Sequence, residues 1–311
     1  MPAKLIIKKV CKIIWHKILF ERRRLFRFLR YHFAKIVYRT ANKPQMIISR
    51  PRETGVIVSR LGSDDFLDLK SEAYPVLLDR VYSEIKTRFS NPKYCQFFSS
   101  DNAVAQKLNK EKGALSSTEN LSEIGKGLIH KIHIAQTTDI KGLEDLCQMI
   151  LPQIERKFYG TYVIAKEAMI YRSLESVLPP FGSFLWHSDN DFDDTIKVMF
   201  YLSDVSEDNA PFEYLHNPKF HRSPRIRANI IALKKYTGGR IPEEAIEEFE
   251  ASGCEKHKVI GGRGTVVVFD NKIIHRGNIA KKGFRDVLVL HLMPSVFKPK
   301  RYIDPRWTAS V

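Results

Sequence analysis

"TIKVMFYLSDV" (195–205) is one of six short β-rich runs that decide the fold class. The others are YVIAKEAMIYRSL (162–174), PFEYLHN (211–217), HKVIGG (257–262), GTVVVFD (264–270) and DVLVLHL (286–292). Turn-forming Gly, Pro, Asn and Asp separate these runs, and one helical insertion, IPEEAIEEFEAS (241–252), interrupts them. This texture is typical of an antiparallel β-barrel or sandwich.

Residues 45 to about 165 have a mixed pattern. A short strand is predicted at GVIVSRL (55–61), and helices at DDFLDLKSEAYPVLLDRVYSEIKTRF (64–89), interrupted by Pro75, and at GLEDLCQMILPQIERKF (142–158). The polar stretch 90–124 is predicted to be rich in loops. The sequence thus predicts an α+β, mainly β domain over 45–311, with helices flanking a β core at about 162–295.

The positive charge is concentrated at the N-terminus. The chain of 311 residues has a net charge of +16. Residues 1–44 hold 13 Lys/Arg and one acid, Glu21, a net charge of +12 that leaves +4 for the other 267 residues. The basic character is therefore a property of the first 44 residues and not of the predicted domain.

These residues predict a basic amphipathic helix. In KLIIKKVCKIIWHKILF (4–20), lysines gather on one side and isoleucines on the other. The recurring cations rule out a membrane-spanning run, and no secretory cleavage pattern is present. A mitochondrial transit peptide is a nearer competitor, but the first serine is Ser49. The pattern favours an anionic membrane surface as the partner of this helix. The alternative is that the helix packs on the domain. A basic amphipathic helix favours lipid over nucleic acid as a partner.

The cysteines indicate the compartment. Cys11, Cys95, Cys147 and Cys254 lie far apart and form no CxxC pair, which argues against a disulfide framework or a thiolate zinc site. We predict a reducing, cytoplasmic compartment, with the protein peripheral on the membrane.

A metal site is predicted from FLWHSDND (184–191) and VVVFDNKIIHRGN (266–278). His187 and Asp189 are two residues apart at the predicted end of a strand, so both side chains point to the same face. His275 follows another apolar strand and its turn. Two imidazoles and one carboxylate on one side of an ion leave coordination positions open, which suits non-haem Fe(II) and oxygen chemistry.

The HxD spacing is a weak signal by itself, because about half a chance match is expected in a chain with 10 histidines. The β-rich context, the later histidine and Arg285 strengthen it. A guanidinium such as that of Arg285 makes bidentate bonds to a carboxylate. The alternatives are His291 for the second histidine, and Arg263 or Arg276 for the arginine.

WHSDND (186–191), KVMFYLSDVSEDNAPFEYL (197–215) and HRGNIAKKGFR (275–285) resemble the phytanoyl-CoA dioxygenase-like branch of the 2-oxoglutarate oxygenases. The resemblance covers about residues 165–295. It implies a double-stranded β-helix (jelly-roll, cupin-like) with flanking helices, and Fe(II), 2-oxoglutarate and O2 as cofactors. It also implies that His187, Asp189 and His275 bind iron, that Arg285 binds 2-oxoglutarate, and that a substrate C–H bond is hydroxylated as succinate and CO2 form.

Some positions depart from the family pattern or stay ambiguous. Gly277 stands where a small hydroxyl residue is common, and NAPFEYLHNPKFH (209–221) matches the corresponding family segment loosely, through Asn209 and Pro211. Lys197 is a candidate for binding cosubstrate or substrate, as are Asn190 and Asp191, and a solvated loop end is the alternative for all three. The GGRG segment (261–264) is interpreted as a tight turn, and His130 and His133 as structural.

The leading functional hypothesis is a membrane-surface oxygenase that hydroxylates a lipid, an acyl chain or a lipid-linked saccharide. Two alternatives stay open: an oxygenase of a soluble metabolite or protein side chain, and a non-catalytic peripheral membrane protein with the same fold. A zinc hydrolase is disfavoured because the chain has no HExxH motif.

Overall fold

A computed structural model describes residues 26, 29–38, 56–63, 66–111, 127–134, 137–189, 195–216, 240–271 and 273–303. The helices are α1 (Ala73–Phe89), α2 (Asn102–Glu111), α3 (Leu143–Ile154) and α4 (Glu243–Ala251), and residues 29–38 are also helical. The strands are β1 (Val56–Ser59), β2 (Cys95–Phe98), β3 (Lys131–Ile134), β4 (Tyr162–Leu174), β5 (Ile196–Tyr201), β6 (Phe212–His216), β7 (Glu255–Val259), β8 (Val266–Asp270), β9 (His275–Gly277) and β10 (Phe284–Ser295).

The strands form two antiparallel sheets. The larger sheet has the order β1-β8-β5-β10-β4-β3-β2, and the smaller has the order β7-β6-β9. The architecture is therefore α+β with a large antiparallel sheet, as the β-rich runs predict. Because β1, β2 and β3 join the larger sheet, it extends beyond the predicted core range of 162–295.

Two hydrophobic cores lie on opposite faces of the larger sheet. On β5, Val198 and Phe200 pack in one core with Leu78 of α1, whereas Met199 and Tyr201 pack in the other, which also holds side chains of the smaller sheet. Successive strand residues point to opposite faces. The period-2 pattern of β5 thus separates a helix-covered face from a face that looks towards the smaller sheet.

The 29–38 helix packs on the domain along one side. Tyr31, Ala34 and Tyr38 are buried. The ring of Tyr31 lies 5.7 Å from that of Tyr159, and the ring of Tyr38 lies 4.8 Å from that of Tyr162. The amphipathic stretch 4–20 lies outside the described residues. None of the described helices combines the length and the apolar character that crossing a membrane requires.

Two predictions for the N-terminal half are wrong. Pro75 does not interrupt the first helix, because α1 begins at Ala73 and so places Pro75 in the first turn, where its missing N–H has no intrahelical partner to lose. The loop-rich prediction for 90–124 is wrong for residues 90–111, which contain β2 and α2, whereas 112–124 lie outside the described residues. Alternate β2 residues, Cys95 and Phe97, are buried because they pack in the hydrophobic core on one face of the sheet, which a single short run does not reveal.

Candidate metal and cosubstrate site

His187, Asp189 and His275 come together as a candidate metal-binding group. One ligand atom from each lies within 4.8 Å of the others, and within the described part of the chain this is the group that meets that criterion. Asp189 Oδ1 is 3.6 Å from His187 Nε2, and Asp189 Oδ2 is 3.5 Å from His275 Nε2. Two ligand atoms that each lie about 2.1 Å from an ion, at right angles to one another, are about 3 Å apart. The observed distances exceed this by about half an ångström, so small side-chain movements would allow the three residues to bind one metal ion.

Backbone pairing brings the two histidines together. His187 N donates to His275 O at 3.0 Å, and His275 N donates to His187 O at 2.9 Å. Asp189 N donates to Asn271 O at 3.0 Å. His187 thus lies in an isolated bridge and not at the end of a regular strand, which differs from the sequence prediction; its pairing with β9 still places the three side chains on one side.

Each imidazole is oriented by the backbone carbonyl of the residue two positions earlier in the chain. His187 Nδ1 lies 2.8 Å from Leu185 O, and His275 Nδ1 lies 2.8 Å from Ile273 O. A carbonyl oxygen only accepts, so each Nδ1 carries the proton and donates. The lone pair of each neutral ring is then on Nε2, the atom that faces Asp189. This is the tautomer and orientation that second-shell carbonyls give to metal-binding histidines.

The electrostatics favour the protonation states that metal binding needs. Burial lowers the pKa of His187 to about 3 and that of His275 to about 4, so both rings are neutral at pH 7. Burial disfavours the charge of Asp189, but His275 and Lys197 outweigh it and lower its pKa to about 2. Two neutral imidazoles and one carboxylate are ready to bind a divalent cation.

Lys197 reaches this group from β5. Its side chain is buried, and its Nζ lies 2.5 Å from Asp189 Oδ2. It is therefore part of the site and not a solvated loop end, which was the alternative considered from sequence. The two other candidates from the same sequence region, Asn190 and Asp191, lie outside the described residues.

Arg285 on β10 provides a buried guanidinium in the same pocket. The residue is 1% exposed, and its Nε and Nη1 have no hydrogen-bond partner among the described residues. The competing arginines are engaged elsewhere: Arg263 pairs with Asp79, and Arg276 Nε lies 2.7 Å from Glu213 Oε2. Buried N–H groups without partners are costly. Arg285 is thus suited to bind the carboxylate of a ligand.

Lys131 is a site residue that the sequence analysis missed. Lys131 on β3 and Arg285 on β10 are both in register with Ser173 of β4, so they flank it on one face of the sheet. The Lys131 ammonium contacts the Ser183 hydroxyl. Burial, reinforced by Arg285, lowers its pKa to about 7. β3 is only four residues long, so its sequence carried little signal.

Three other histidines can now be placed. His133 was interpreted as structural, yet it lines the pocket, where its ring stacks on that of Tyr171 at 5.2 Å. His130 is fully buried beside Phe181, which agrees with a structural role. His291, the alternative second ligand, also lines the pocket, but its Nδ1 lies 3.2 Å from Glu167 Oε2 and it is not part of the metal-binding group.

The pocket that contains these groups has a volume of about 340 Å³. Its wall combines the polar groups described above with apolar side chains: Met169, Met199, Phe212, Phe269 and Val289. Apolar walls combined with convergent polar groups are typical of a small-molecule site. The neutral Nε2 atoms, the carboxylate and the available guanidinium N–H groups fit a ferrous ion and a dicarboxylate cosubstrate.

The positions that depart from the family pattern have local explanations. Gly277 packs against the guanidinium of Arg285, because a Cβ at this position would lie 3.4 Å from Arg285 Nη2. Asn209 stabilises a turn, since its Nδ2 donates to Asp204 O at 2.7 Å. In the GGRG segment, Gly264 has φ +92° and its carbonyl accepts a hydrogen bond from Tyr74 at 2.8 Å. This segment is a structural turn, as interpreted.

No family model matches the chain, and no curated relative matches it in sequence. Among solved structures, SnoK, a non-haem α-ketoglutarate-dependent carbocyclase from nogalamycin biosynthesis, is 12% identical over 82% of this chain and 85% of its own, with a TM-score of 0.49. EctD from S. alaskensis is 17% identical over 86% and 85%, with a TM-score of 0.45. HygX from Streptomyces hygroscopicus, solved with nickel and 2-oxoglutarate, is 14% identical over 80% and 86%, with a TM-score of 0.43. At TM-scores below 0.5, the chemistry of this pocket has to follow from its own side chains.

Proposed function

We propose that this protein is an iron(II)- and 2-oxoglutarate-dependent oxygenase. The observation that carries the proposal is one pocket that holds His187, Asp189 and His275 as a facial group of ligand atoms, together with the buried guanidinium of Arg285. Two imidazoles and one carboxylate leave open positions on a metal for a chelating cosubstrate and O2. The two antiparallel sheets support the double-stranded β-helix as the finer fold assignment. The resemblance of about residues 165–295 in sequence supports the phytanoyl-CoA dioxygenase-like branch.

Each polar group of the pocket has a separate task. His187, Asp189 and His275 hold the metal, and the carbonyls of Leu185 and Ile273 fix the ring orientations. When bound, iron and 2-oxoglutarate supply the oxidation, in which the cosubstrate becomes succinate and CO2 while O2 hydroxylates a substrate C–H bond.

The far carboxylate of the cosubstrate binds Arg285, whose Nε and Nη1 are available, and Lys131, its neighbour across β4. Lys197 holds Asp189 in place through the contact of its Nζ with Oδ2. The apolar side chains around these groups limit the access of water and help to hold the substrate C–H bond near the metal.

The test is turnover of 2-oxoglutarate to succinate by the purified protein. We expect succinate release that requires Fe(II), rises with substrate, and is lost in Asp189→Ala. A matched control is Glu207→Gln, an exposed carboxylate that pairs with Lys258 on the surface and should leave turnover unchanged. Wild-type protein that binds neither Fe(II) nor 2-oxoglutarate would contradict the proposal.

We further propose that the substrate is a lipid, an acyl chain or a lipid-linked saccharide and that the protein acts peripherally on a membrane surface. Support comes from the helix at the end of the basic segment. Phe26, Leu29, Phe33 and Ile36 recur at helical spacing, and all are between 56% and 66% exposed. With the net charge of +12 over residues 1–44, this apolar stripe suits an anionic interface.

Vesicle binding tests the membrane proposal. The double variant Phe33→Glu/Ile36→Glu places charges on the exposed stripe and should weaken binding to vesicles that contain anionic phosphatidylserine by about tenfold or more. Val177→Glu is the control, because Val177 is 81% exposed and lies elsewhere. Equal binding by the double variant and the wild type, or no vesicle binding at all, would favour a soluble substrate.

A further inference from the structure

The described lining of the pocket has an excess of positive charge. It contains four basic side chains, Lys131, Lys197, Arg240 and Arg285, and a single carboxylate, Asp189. A neutral histidine adds nothing to this balance. If the proposed function holds, the charges of Fe(II) and of 2-oxoglutarate cancel, so the described lining of the loaded pocket keeps its excess of basic over acidic side chains.

Three of the four cations already have a partner or a task. Lys197 contacts Asp189 at 2.5 Å. Arg285 and Lys131 flank Ser173 and face the proposed carboxylate of the cosubstrate. Arg240 is the remaining cation, and no carboxylate of a described residue forms an ion pair or a hydrogen bond with it in the structure.

The neighbourhood of Arg240 shows why it stays available. Glu243 is three residues away, but it accepts hydrogen bonds from Trp186 Nε1 at 3.0 Å and from Arg276 Nη1 at 3.1 Å. Lys256 Nζ also lies 3.4 Å from this carboxylate. Glu243 is therefore engaged by other donors, and it forms no ion pair with Arg240.

The backbone of Arg240 is firmly placed beside the metal-binding group. Arg240 forms a β-bridge with His187, and the next residue, Ile241, donates its N–H to Trp186 O at 2.8 Å. Two residues further on, α4 begins at Glu243. The arginine is thus anchored by its own β-bridge and by the residues that follow it, next to a residue of the metal-binding group.

We propose that the organic substrate carries an anionic group, a carboxylate or a phosphate monoester, which Arg240 binds while the apolar part of the substrate lies near the metal. This deepens the proposed function and rests on it. A neutral alkyl substrate would leave several like charges close together in a confined cavity, which is electrostatically unfavourable. An anionic group beside Arg240 removes part of this repulsion and orients the substrate through charge-assisted hydrogen bonds.

The test compares hexanoate, hexyl phosphate and hexanol, which share one alkyl chain and differ in the head group. Their binding to the Fe(II) and 2-oxoglutarate complex is measured by calorimetry without oxygen, and again with the metal-free protein. We expect hexanoate or hexyl phosphate to bind at least about tenfold more tightly than hexanol. Which of the two binds better distinguishes a carboxylate substrate from a phosphorylated one.

Variants assign this preference to Arg240. Arg240→Gln should remove the difference between the anionic compound and hexanol, and Arg240→Lys should keep part of it. Arg276→Gln is the matched control, because Arg276 pairs with Glu213 and Glu243 outside the pocket. Equal binding of the three compounds to the wild type, or a preference that survives in Arg240→Gln, would overturn the inference.

Failure of the proposed function has a different signature. In that case the wild type would not bind 2-oxoglutarate. Calorimetry of the metal-free wild type and Arg240→Gln with hexanoate, hexyl phosphate and hexanol would still show whether Arg240 selects an anion. Arg240→Gln should also bind 2-oxoglutarate as the wild type does, because the cosubstrate is assigned to Arg285 and Lys131. Loss of 2-oxoglutarate binding in Arg240→Gln would overturn the inference by placing Arg240 in the cosubstrate site.

Discussion

Single residues in this pocket have their chemistry set by their immediate surroundings. Histidine is intermediate between buried and exposed residue types, but His187 and His275 are buried and neutral, and the carbonyls of Leu185 and Ile273 hold them with Nε2 facing Asp189. Burial alone would favour a protonated aspartic acid, and the positive groups around Asp189 reverse this. The three residues thus meet the protonation requirements of a metal site before any metal binds.

Removing one imidazole should abolish tight iron binding. His275→Ala deletes a direct ligand, and even the loss of an outer partner costs metal sites about 10- to 100-fold in affinity. We therefore expect the Fe(II) affinity to fall by more than about 100-fold in anaerobic calorimetry. His257→Ala, which removes a half-exposed histidine next to Glu255, serves as the control. Wild-type iron affinity in His275→Ala would contradict the assignment.

Arg285 should control affinity for 2-oxoglutarate and not for iron. Arg285→Gln removes charge-assisted hydrogen bonds worth about 1.5–3 kcal/mol, so the Kd should rise about 10- to 100-fold. Arg285→Lys should recover only part of this, since an ammonium lacks the bidentate geometry. Titration of 2-oxoglutarate into the iron-loaded protein measures the Kd of both variants. An unchanged Kd for Arg285→Gln would show that another group binds the carboxylate.

At the scale of elements, strand alternation separates side chains that line the pocket from side chains that stabilise the fold. Arg285 and Asp286 are neighbours on β10 and therefore point to opposite faces. Arg285 enters the pocket, whereas Asp286 accepts bonds from Arg172 Nε and Nη2, both at 2.8 Å, and from the Tyr82 hydroxyl at 2.9 Å. This network links β10, β4 and α1, so it fixes the strand that carries Arg285.

Asp286→Ala should destabilise the fold strongly. The change leaves the largely buried guanidinium of Arg172 without its carboxylate, and breaking a buried pair from one side costs about 3–5 kcal/mol. Urea unfolding measures the loss. The control is Asp79→Asn, which disrupts the exposed pair with Arg263 and should cost about 1 kcal/mol or less. Similar losses in the two variants would show that the network contributes little to stability.

At the scale of the whole molecule, the helical layer and the sheet join at a buried acid. Glu155 follows α3, and its Oε1 accepts bonds from Val163 N at 2.9 Å and from the Tyr302 hydroxyl at 3.2 Å. Burial raises its pKa from the ordinary 4.5 to about 7. At pH values between 4.5 and about 7, the folded protein therefore binds more protons than the unfolded chain.

The sign of the stability change follows from this proton balance. The contribution of Glu155 to the free energy of unfolding is fully present below about pH 4.5 and is lost as the pH rises through about 7. Glu155→Gln, which cannot ionise, should match the wild type near pH 5 and be more stable than it near pH 8. Thermal unfolding across this range measures the difference, with Glu207→Gln as an exposed control. Parallel profiles for Glu155→Gln and the wild type would contradict the raised pKa.

The sequence by itself determined the β-rich texture, the helices at α3 and α4, and the four residues His187, Asp189, His275 and Arg285 as candidates for one site. These features are local: period-2 runs, turn residues between them, and HxD followed by a later histidine and Arg285. What the sequence could not determine was the partner of each strand, because pairing is set by burial between distant segments. Pairing of β3 with β4 brought Lys131 beside Arg285, and the bridge between His187 and Arg240 brought a further cation to the metal-binding group. Only the tertiary structure decided the charge of the pocket, since that charge is a sum over residues far apart in the chain.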